Sequence, residues 1–318
     1  MNEVTSPTTT TTTTAAARPR RRRGQAHGRL RQGDGLVALP FLIPFFAVYA
    51  IFLIYPLARV VHMSFFSWDL LGNHQYIGLD NYTHLFTIDR FWPDMAHTFY
   101  FAALTVPALV ALGLGLAVGL NASFRGRTLL RTIFFAPFVL PISVVTLLWI
   151  WLLQPQFGLV NEVLTLAHLP TVAWLSSPTA AMPAIAVASV WWSVGFNLVL
   201  FLAGLQGISR EYYEAATIDG ANRWHLFRYV TLPLLRHTTE LVALLQVVAS
   251  LQIFGQVYLM TNGGPNGATE VALEYMYDRA FSAYHLGYAS AIAVMLFAVI
   301  FVFSLVQARL SFARASNQ

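Results

Sequence analysis

The sequence contains no cysteine and no lysine, and only 33 of its 318 residues are formally charged, 19 basic and 14 acidic. Without cysteine there is no disulfide framework, no cysteine-ligated zinc, no iron–sulfur cluster and no thiol nucleophile. Without lysine there is no Schiff base and no phosphate-loop lysine. All 19 basic residues are arginine, a bias expected of GC-rich codon usage rather than of a function. Charge makes up 10% of the chain, against about 25% in soluble domains. Apolar residues make up 57%. A soluble protein of that composition would expose more apolar surface than water tolerates, so the composition predicts a membrane protein. The nine histidines include no pair three or four residues apart, so no local metal site is visible.

What is present is a series of long charge-free runs. Six runs without Asp, Glu or Arg follow Asp34, over 35–58, 95–124, 132–161, 163–209, 241–269 and 280–308. A membrane-crossing helix needs about 20 residues. The 47-residue run 163–209 has room for two, but its first part holds His168, Pro170 and Trp174 and is closed by Pro178, which predicts an interfacial loop with an aromatic anchor. The expected fold class is all-α, a polytopic membrane protein with six transmembrane helices over about 37–61, 97–121, 132–153, 180–204, 238–259 and 286–307. Arginine sets the orientation. The N-terminal tail carries seven, and the segments 122–131, 205–237 and the C-terminal tail carry three, four and two. Six spans with both termini cytoplasmic place these four segments on one side, as the positive-inside rule requires. The same placement accounts for the +5 net charge without a nucleic-acid partner.

Residues 1–34 combine seven consecutive threonines with the Arg18–Arg23 cluster. Such a segment cannot bury a core and is expected to be a disordered cytoplasmic tail, its arginines drawn to anionic membrane lipid. The first apolar run is longer than the 7–15 residues of a cleaved leader and is expected to remain as the first span. The permease domain would cover 35–310, with a short tail over 311–318.

The segment 205–237 is not generic. Ser209 is a good N-cap with Glu211 in the first turn. Tyr213, Ala216 and Ile218 supply apolar contacts, and Gly220 permits a left-handed turn. A second short helix is expected from about Asn222 to Val230, with Trp224 and Phe227 as apolar positions, ended by Pro233. A hairpin of two short helices with apolar residues left over is a candidate docking surface.

The run Glu214-Ala215-Ala216-x-x-Asp219-Gly220-Ala221, with Phe227 and Leu232-Pro233 downstream, resembles the "EAA" loop of ABC-importer permeases. The details are similar to carbohydrate-uptake permeases of the maltose and glycerol-3-phosphate type. Asn197–Ile208 resembles the exit of the fourth span, Met260-Thr-Asn-Gly-Gly-Pro265 with Thr269 the last extracellular loop, and Gly78-Leu-Asp-Asn-Tyr82 the first. The resemblance covers about 36–310. His237 departs from it, standing where related chains often have proline.

The resemblance implies a MetI-like permease fold and a transmembrane subunit that binds no cofactor and is not itself an enzyme. ATP and magnesium would be held by two partner ATP-binding subunits. A second homologous permease and an external or lipid-anchored solute-binding protein would complete a plasma-membrane importer that works by alternating access. The EAA loop would form the coupling helix: Glu214 pairs with a basic group of the ATPase, Ala215 and Ala216 allow close approach, Gly220 makes the turn, and Asp219 caps the second helix or holds the turn.

Polar residues at membrane depth must find partners or face a wet cavity. Trp191, Trp192 and Asn197 lie in the fourth predicted span, and Gln246, Ser250, Gln252 and Gln256 in the fifth. Aromatic faces with amides suit a sugar, so the group is a candidate substrate path; structural hydrogen bonds between helices are the other reading. Gly115-x-x-x-Gly119 permits close helix approach, within the chain or toward another subunit. Glu240 is expected to pair with Arg236. A stand-alone ion-coupled carrier is the alternative function; it requires ionisable groups in mid-membrane, which the span interiors lack. An intramembrane enzyme lacks a catalytic cluster, and a receptor or scaffold would leave the intramembrane polar residues without a role.

Overall fold

The structure, a computed structural model, describes residues 34–315 except 70, 71, 73, 88 and 89, with side chains within 42–309. The expected N-terminal tail, apart from Asp34, lies outside the described residues, as do 316–318. The C-terminal segment does not begin as a tail at 311, because the last helix, Leu286–Ala315, continues through it.

The chain divides at Ile54/Tyr55 into two compact units. The first contains the helix Asp34–Tyr49 and a π-helical turn, Ala50–Ile54. The second holds the remaining helices. Leu42–Met63, Phe91–Asn121, Ala181–Gln206 and Leu286–Arg309 are long and apolar enough to cross a membrane. Two bent pairs, Arg127–Val139 with Ile142–Leu152 and Arg223–Leu234 with Arg236–Leu251, raise the number to as many as six, which is compatible with six spans.

Two expected spans are not continuous helices. The third bends by 100° between Val139 and Ile142. The cause is Pro141, which has no N–H to continue the ladder and forces Leu140 out of the helical region, to φ −71°, ψ 141°. The fifth breaks after Leu251 and resumes as Gly255–Met260. The intervening residues have no helical hydrogen-bond ladder, which is tolerated at membrane depth only where the backbone is buried or lines a cavity. The loop before the fourth span contains an unforeseen helix, Leu159–Leu166. Trp174 donates its Nε1–H to Asn161 at 3.0 Å and packs on the core, so it braces this loop instead of acting as a free interfacial anchor.

The fold is not wholly helical. Phe66–Trp68 and His74–Tyr76 form a two-stranded antiparallel hairpin in the register Phe66↔Tyr76, Ser67↔Gln75, Trp68↔His74. The Gly78–Tyr82 motif secures it: Asn81 donates to the Ser64 and Phe66 carbonyls at 2.8 and 3.1 Å, and Tyr82 donates to Ser64 Oγ at 2.8 Å.

The helices Phe91–Asn121 and Ala181–Gln206 form the centre of the second unit. At one end Ala117, Leu120, Leu202, Leu205 and Leu235 are buried together, next to the Arg-rich segments 122–131 and 205–237. At the other end Leu85, Phe91, Met95, Ala272, Tyr275 and Ile292 are buried together. Phe91–Asn121 has 31 residues, a rise of about 46 Å, so it outreaches a hydrocarbon layer of about 30 Å. Its first turns are therefore free to meet the loop 261–270. His97 Nδ1 donates to the Glu270 carbonyl at 2.9 Å, and the Ala272 N–H donates to Thr98 Oγ1 at 3.1 Å. The Gly-Gly-Pro loop closes on itself as well: Thr269 Oγ1 donates to the Gly264 carbonyl at 2.5 Å and lies 2.8 Å from Thr261 Oγ1.

Candidate functional site

Two regions take up the residues singled out above. The first is a cavity of about 560 Å³ between the helices Phe91–Asn121, Ala181–Gln206 and the broken fifth span. Trp192, Gln246, Ser250, Gln252 and Gln256 line it. Gln252 and Gln256 sit where the fifth helix breaks, so the break carries both amides to the cavity wall. The break at Pro141 contributes too: its freed Leu140 carbonyl accepts the Nε1–H of Trp192 at 3.3 Å. Ile142 from the far side of that bend lines the same space. None of the lining side chains is charged.

Trp191 and Asn197 do not join this wall. Trp191 is adjacent to Trp192 and so points about 100° away around the helix. It lines a separate apolar groove with Leu104, Leu112 and Val187 and meets Trp149 edge-on at 5.9 Å. Asn197 is fully buried. Its Oδ1 accepts from Gln246 Nε2 at 2.9 Å, and its Nδ2 donates to the Ser193 carbonyl at 3.2 Å. Ser250 Oγ lies 3.0 Å from Thr105 Oγ1, buried. Asn197, Gln246 and Ser250 therefore tie three helices together, and Gln246 and Ser250 do so at the cavity's edge. Helix approach depends on Gly113, where a Cβ would come within 2.7 Å of Asn197 Cβ; Gly115 and Gly119 face open space. Replacing Asn197 with leucine should strand the Gln246 amide and lower stability by about 1–3 kcal/mol, measured as a loss of thermal stability in detergent, with Gln246→Leu in the same chain recovering part of it.

The second region is the hairpin at the Arg-rich end. Ser209 Oγ accepts from the Glu211 N–H at 3.4 Å and starts the helix Arg210–Ile218. Gly220 follows at φ +84°, the left-handed conformation expected of it. The second helix is capped by Asn222, whose Oδ1 accepts from the His225 N–H at 2.9 Å. Asp219 does not cap it. It occupies the C-cap of the first helix, where its N–H bonds to the Ala215 carbonyl, and its side chain is exposed.

Pro233 does not end the second helix. Helical structure runs through a π-helical segment, Leu226–Thr231, to Leu234, and the chain bends by 63° before Arg236. A proline ring clashes with the carbonyl four residues back in an α-helix; the wider π turn just before Pro233 relieves that clash. The two helices are joined by Tyr213 Oη and Thr231 Oγ1 at 3.1 Å. Arg236 Nε donates to Glu240 Oε1 at 3.0 Å, the expected pair. Glu214 and Ala215 are exposed and Ala216 is half-buried. Tyr212, Ile218, Trp224 and Tyr229 are 57–87% exposed, an apolar surface with nothing from the described residues over it.

A family profile described as "Binding-protein-dependent transport system inner membrane component" matches residues 110–315. The sulfoquinovosyl glycerol transport system permease protein SmoG of Agrobacterium fabrum is 36% identical over 84% of this chain and 87% of its own. The diacetylchitobiose uptake system permease protein NgcF of Streptomyces coelicolor is 34% identical over 84% and 79%. The trehalose/maltose transport system permease protein MalF of Thermococcus litoralis is 31% identical over 87% and 94%. Among solved structures, a chain of a bacterial ABC transporter involved in the import of the acidic polysaccharide alginate superposes with a TM-score of 0.79, at 24% identity, over 88% of this chain and 96% of its own. The chain belongs to the binding-protein-dependent transport system inner membrane component family and is a multi-pass permease subunit of an ABC importer.

Proposed function

We propose that this permease carries a neutral sugar or sugar-like solute through the 560 Å³ cavity by alternating access. The observation that carries the reading is the cavity wall itself. Amides and hydroxyls pair with sugar hydroxyls, an indole supports the apolar face of the ring, and no lining charge demands a counter-charge on the solute. Permeases named for diacetylchitobiose and for trehalose and maltose, at 34% and 31% identity, support it. An ion-coupled carrier would need a titrating group here, and the wall offers none.

In this reading the N-terminal segment 1–34, the C-terminal end of the last helix and the hairpin 205–237 are cytoplasmic, the permease domain lies between the two ends, and the 261–270 loop faces outward. A second, homologous permease completes the pathway. Two ATP-binding subunits hold ATP and magnesium and cover the exposed apolar hairpin, with Glu214, Ala215, Ala216 and Gly220 in the joint. An external binding protein delivers the solute, and no reaction is catalysed by this chain.

The test is purification of the tagged chain with its native partners, followed by uptake of labelled saccharides into proteoliposomes. ATP-dependent uptake is expected, and Gln252→Leu with Gln256→Leu should lower it by about tenfold or more while ATP hydrolysis persists. Unchanged uptake in that double variant would remove the cavity from the path, and uptake without ATP would overturn the importer mechanism for this complex.

A further inference from the structure

A second polar cavity, of about 340 Å³, lies at the end of the molecule opposite the arginine-rich segments, between Asp80–Thr87, the segment 272–282 and the start of the last span. Asp80, His84, Tyr275, Arg279, His285 and Tyr288 line it. Two of these carry buried polar atoms without a hydrogen-bond partner, Arg279 Nε and Tyr288 Oη. Arg279 forms no ion pair among the described residues; its guanidinium lies over the Tyr275 ring, 4.7 Å from the centroid. Buried donors left open are rare and call for a partner.

The charges around Arg279 define what that partner can be. Asp80 is on the same wall. Asp278 and Glu270 line a smaller adjoining cavity that Arg279 also borders; Glu270 is engaged by Arg90 at 3.4 Å. The imidazole of His285 is held by Asp69 at 3.5 Å. A bare anion would gain Arg279 and lose against Asp80 and Asp278. A bare cation meets the reverse. A hydroxyl serves both, because it accepts from a guanidinium or phenol and donates to a carboxylate. Asn81 adds an acceptor, since its Nδ2 is already committed to the Ser64 and Phe66 carbonyls and only its Oδ1 remains. Tyr288, edge-on to His84 at 5.2 Å, adds aromatic surface. The volume suits one ring rather than an oligomer.

We propose that this cavity binds a single neutral polyhydroxylated ring, such as one unit of a saccharide, at a site separate from the central cavity, with Arg279, Tyr288 and Asp80 as its principal contacts. The ligand class follows from the cavity's own donors and acceptors. Its role as an outward-facing capture point rests on the carbohydrate reading above.

The test uses the full chain in lipid nanodiscs and saturation-transfer NMR with the methyl α-pyranosides of D-glucose, D-galactose and D-mannose, with sodium acetate as the anionic comparison. At least one glycoside should give a transfer signal. Arg279→Met, which keeps the apolar stem, and Tyr288→Phe, which deletes only an unpartnered hydroxyl and so leaves folding intact, should each weaken it about tenfold. The signals are compared in the Gln252→Leu, Gln256→Leu background, which removes both amides from the central cavity, so that the remaining transfer reports this site. Absence of signal from all three glycosides, a signal that survives both external substitutions, or displacement by acetate would each overturn the proposal. ATP-driven saccharide uptake with no glycoside signal here would sink this site alone. A glycoside signal at Arg279 with no saccharide uptake would instead sink the carbohydrate reading and leave the site standing.

Discussion

Gly220→Asp should abolish solute uptake, by about a hundredfold or more, while the chain remains inserted and folded. Gly220 sits at φ +84° with no atom within 4 Å of the position a Cβ would take. The backbone strain of a non-glycine residue there is about 1 kcal/mol, and less for aspartate, which tolerates the left-handed region. That strain is small beside the stability of the membrane domain, and no neighbour in the chain is displaced. The new carboxylate would instead project from the turn between Arg210–Ile218 and the second helix, beside Ile218 at 87% exposure and Trp224 at 65%. If the ATP-binding subunit covers this face, a charge is introduced without a partner into a desolvated joint, and such a charge costs several kcal/mol. The measurement is uptake and ATP hydrolysis in proteoliposomes, beside detergent gel filtration of the same variant. Uptake at the level of the unsubstituted protein would remove the hairpin from coupling. Loss of the folded peak would show that the turn serves the fold.

The hairpin was legible because its signals are local. Ser209 as a cap, Gly220 as a left-handed residue and the apolar residues between them each act within one or two turns. For Asp219 the sequence allows two roles, capping the second helix or holding the turn: aspartate and asparagine are near-equal caps, and only the observed start of the helix at Arg223 gives the cap to Asn222 and leaves Asp219 at the turn. The two broken spans were not legible. A charge-free run reports that a segment tolerates lipid, and this criterion cannot register a 100° bend within it. Pro141 was a visible signal for one break. The other, over Gln252–Phe254, has only Gly255 beside it, and it is tolerated where the backbone borders a cavity that forms only when distant segments assemble. The same limit explains the substrate-path residues. Helical spacing tells which residues share a face but not what that face meets, so Trp192 and Gln252 reach the cavity wall while Asn197, equally polar, is spent on Gln246.

Glu274→Gln should stabilise the protein at alkaline pH and leave it unchanged near pH 4.5. Glu274 is 2% exposed, its Oε2 has no hydrogen-bond partner, and it lies under the Gly-Gly-Pro loop, 3.5 Å from where a Cβ on Gly263 would sit. Burial, then the charges of Glu270 and Asp278, push its carboxyl up from the ordinary 4.5 to about 8, against a lowering hydrogen bond from the Val271 backbone. The folded state therefore holds a proton that the unfolded chain has released across the window from pH 4.5 to 8. In that window the folded state binds more protons, so stability falls as pH rises. At about 1.4 kcal/mol per unit, the penalty reaches about 3 kcal/mol at pH 7 and about 5 kcal/mol at pH 8, both upper values for a site that can relax. Glutamine has the shape of the protonated acid and never ionises, so the variant should lack this slope. Thermal unfolding of both chains in the same detergent from pH 4.5 to 8.5 reads the difference directly, because the two chains differ at this one side chain. Curves that separate progressively above pH 5 are the expected result. Parallel curves would mean that the Glu274 carboxylate is solvated in the folded protein, and the loop over it would then have to open to water at neutral pH.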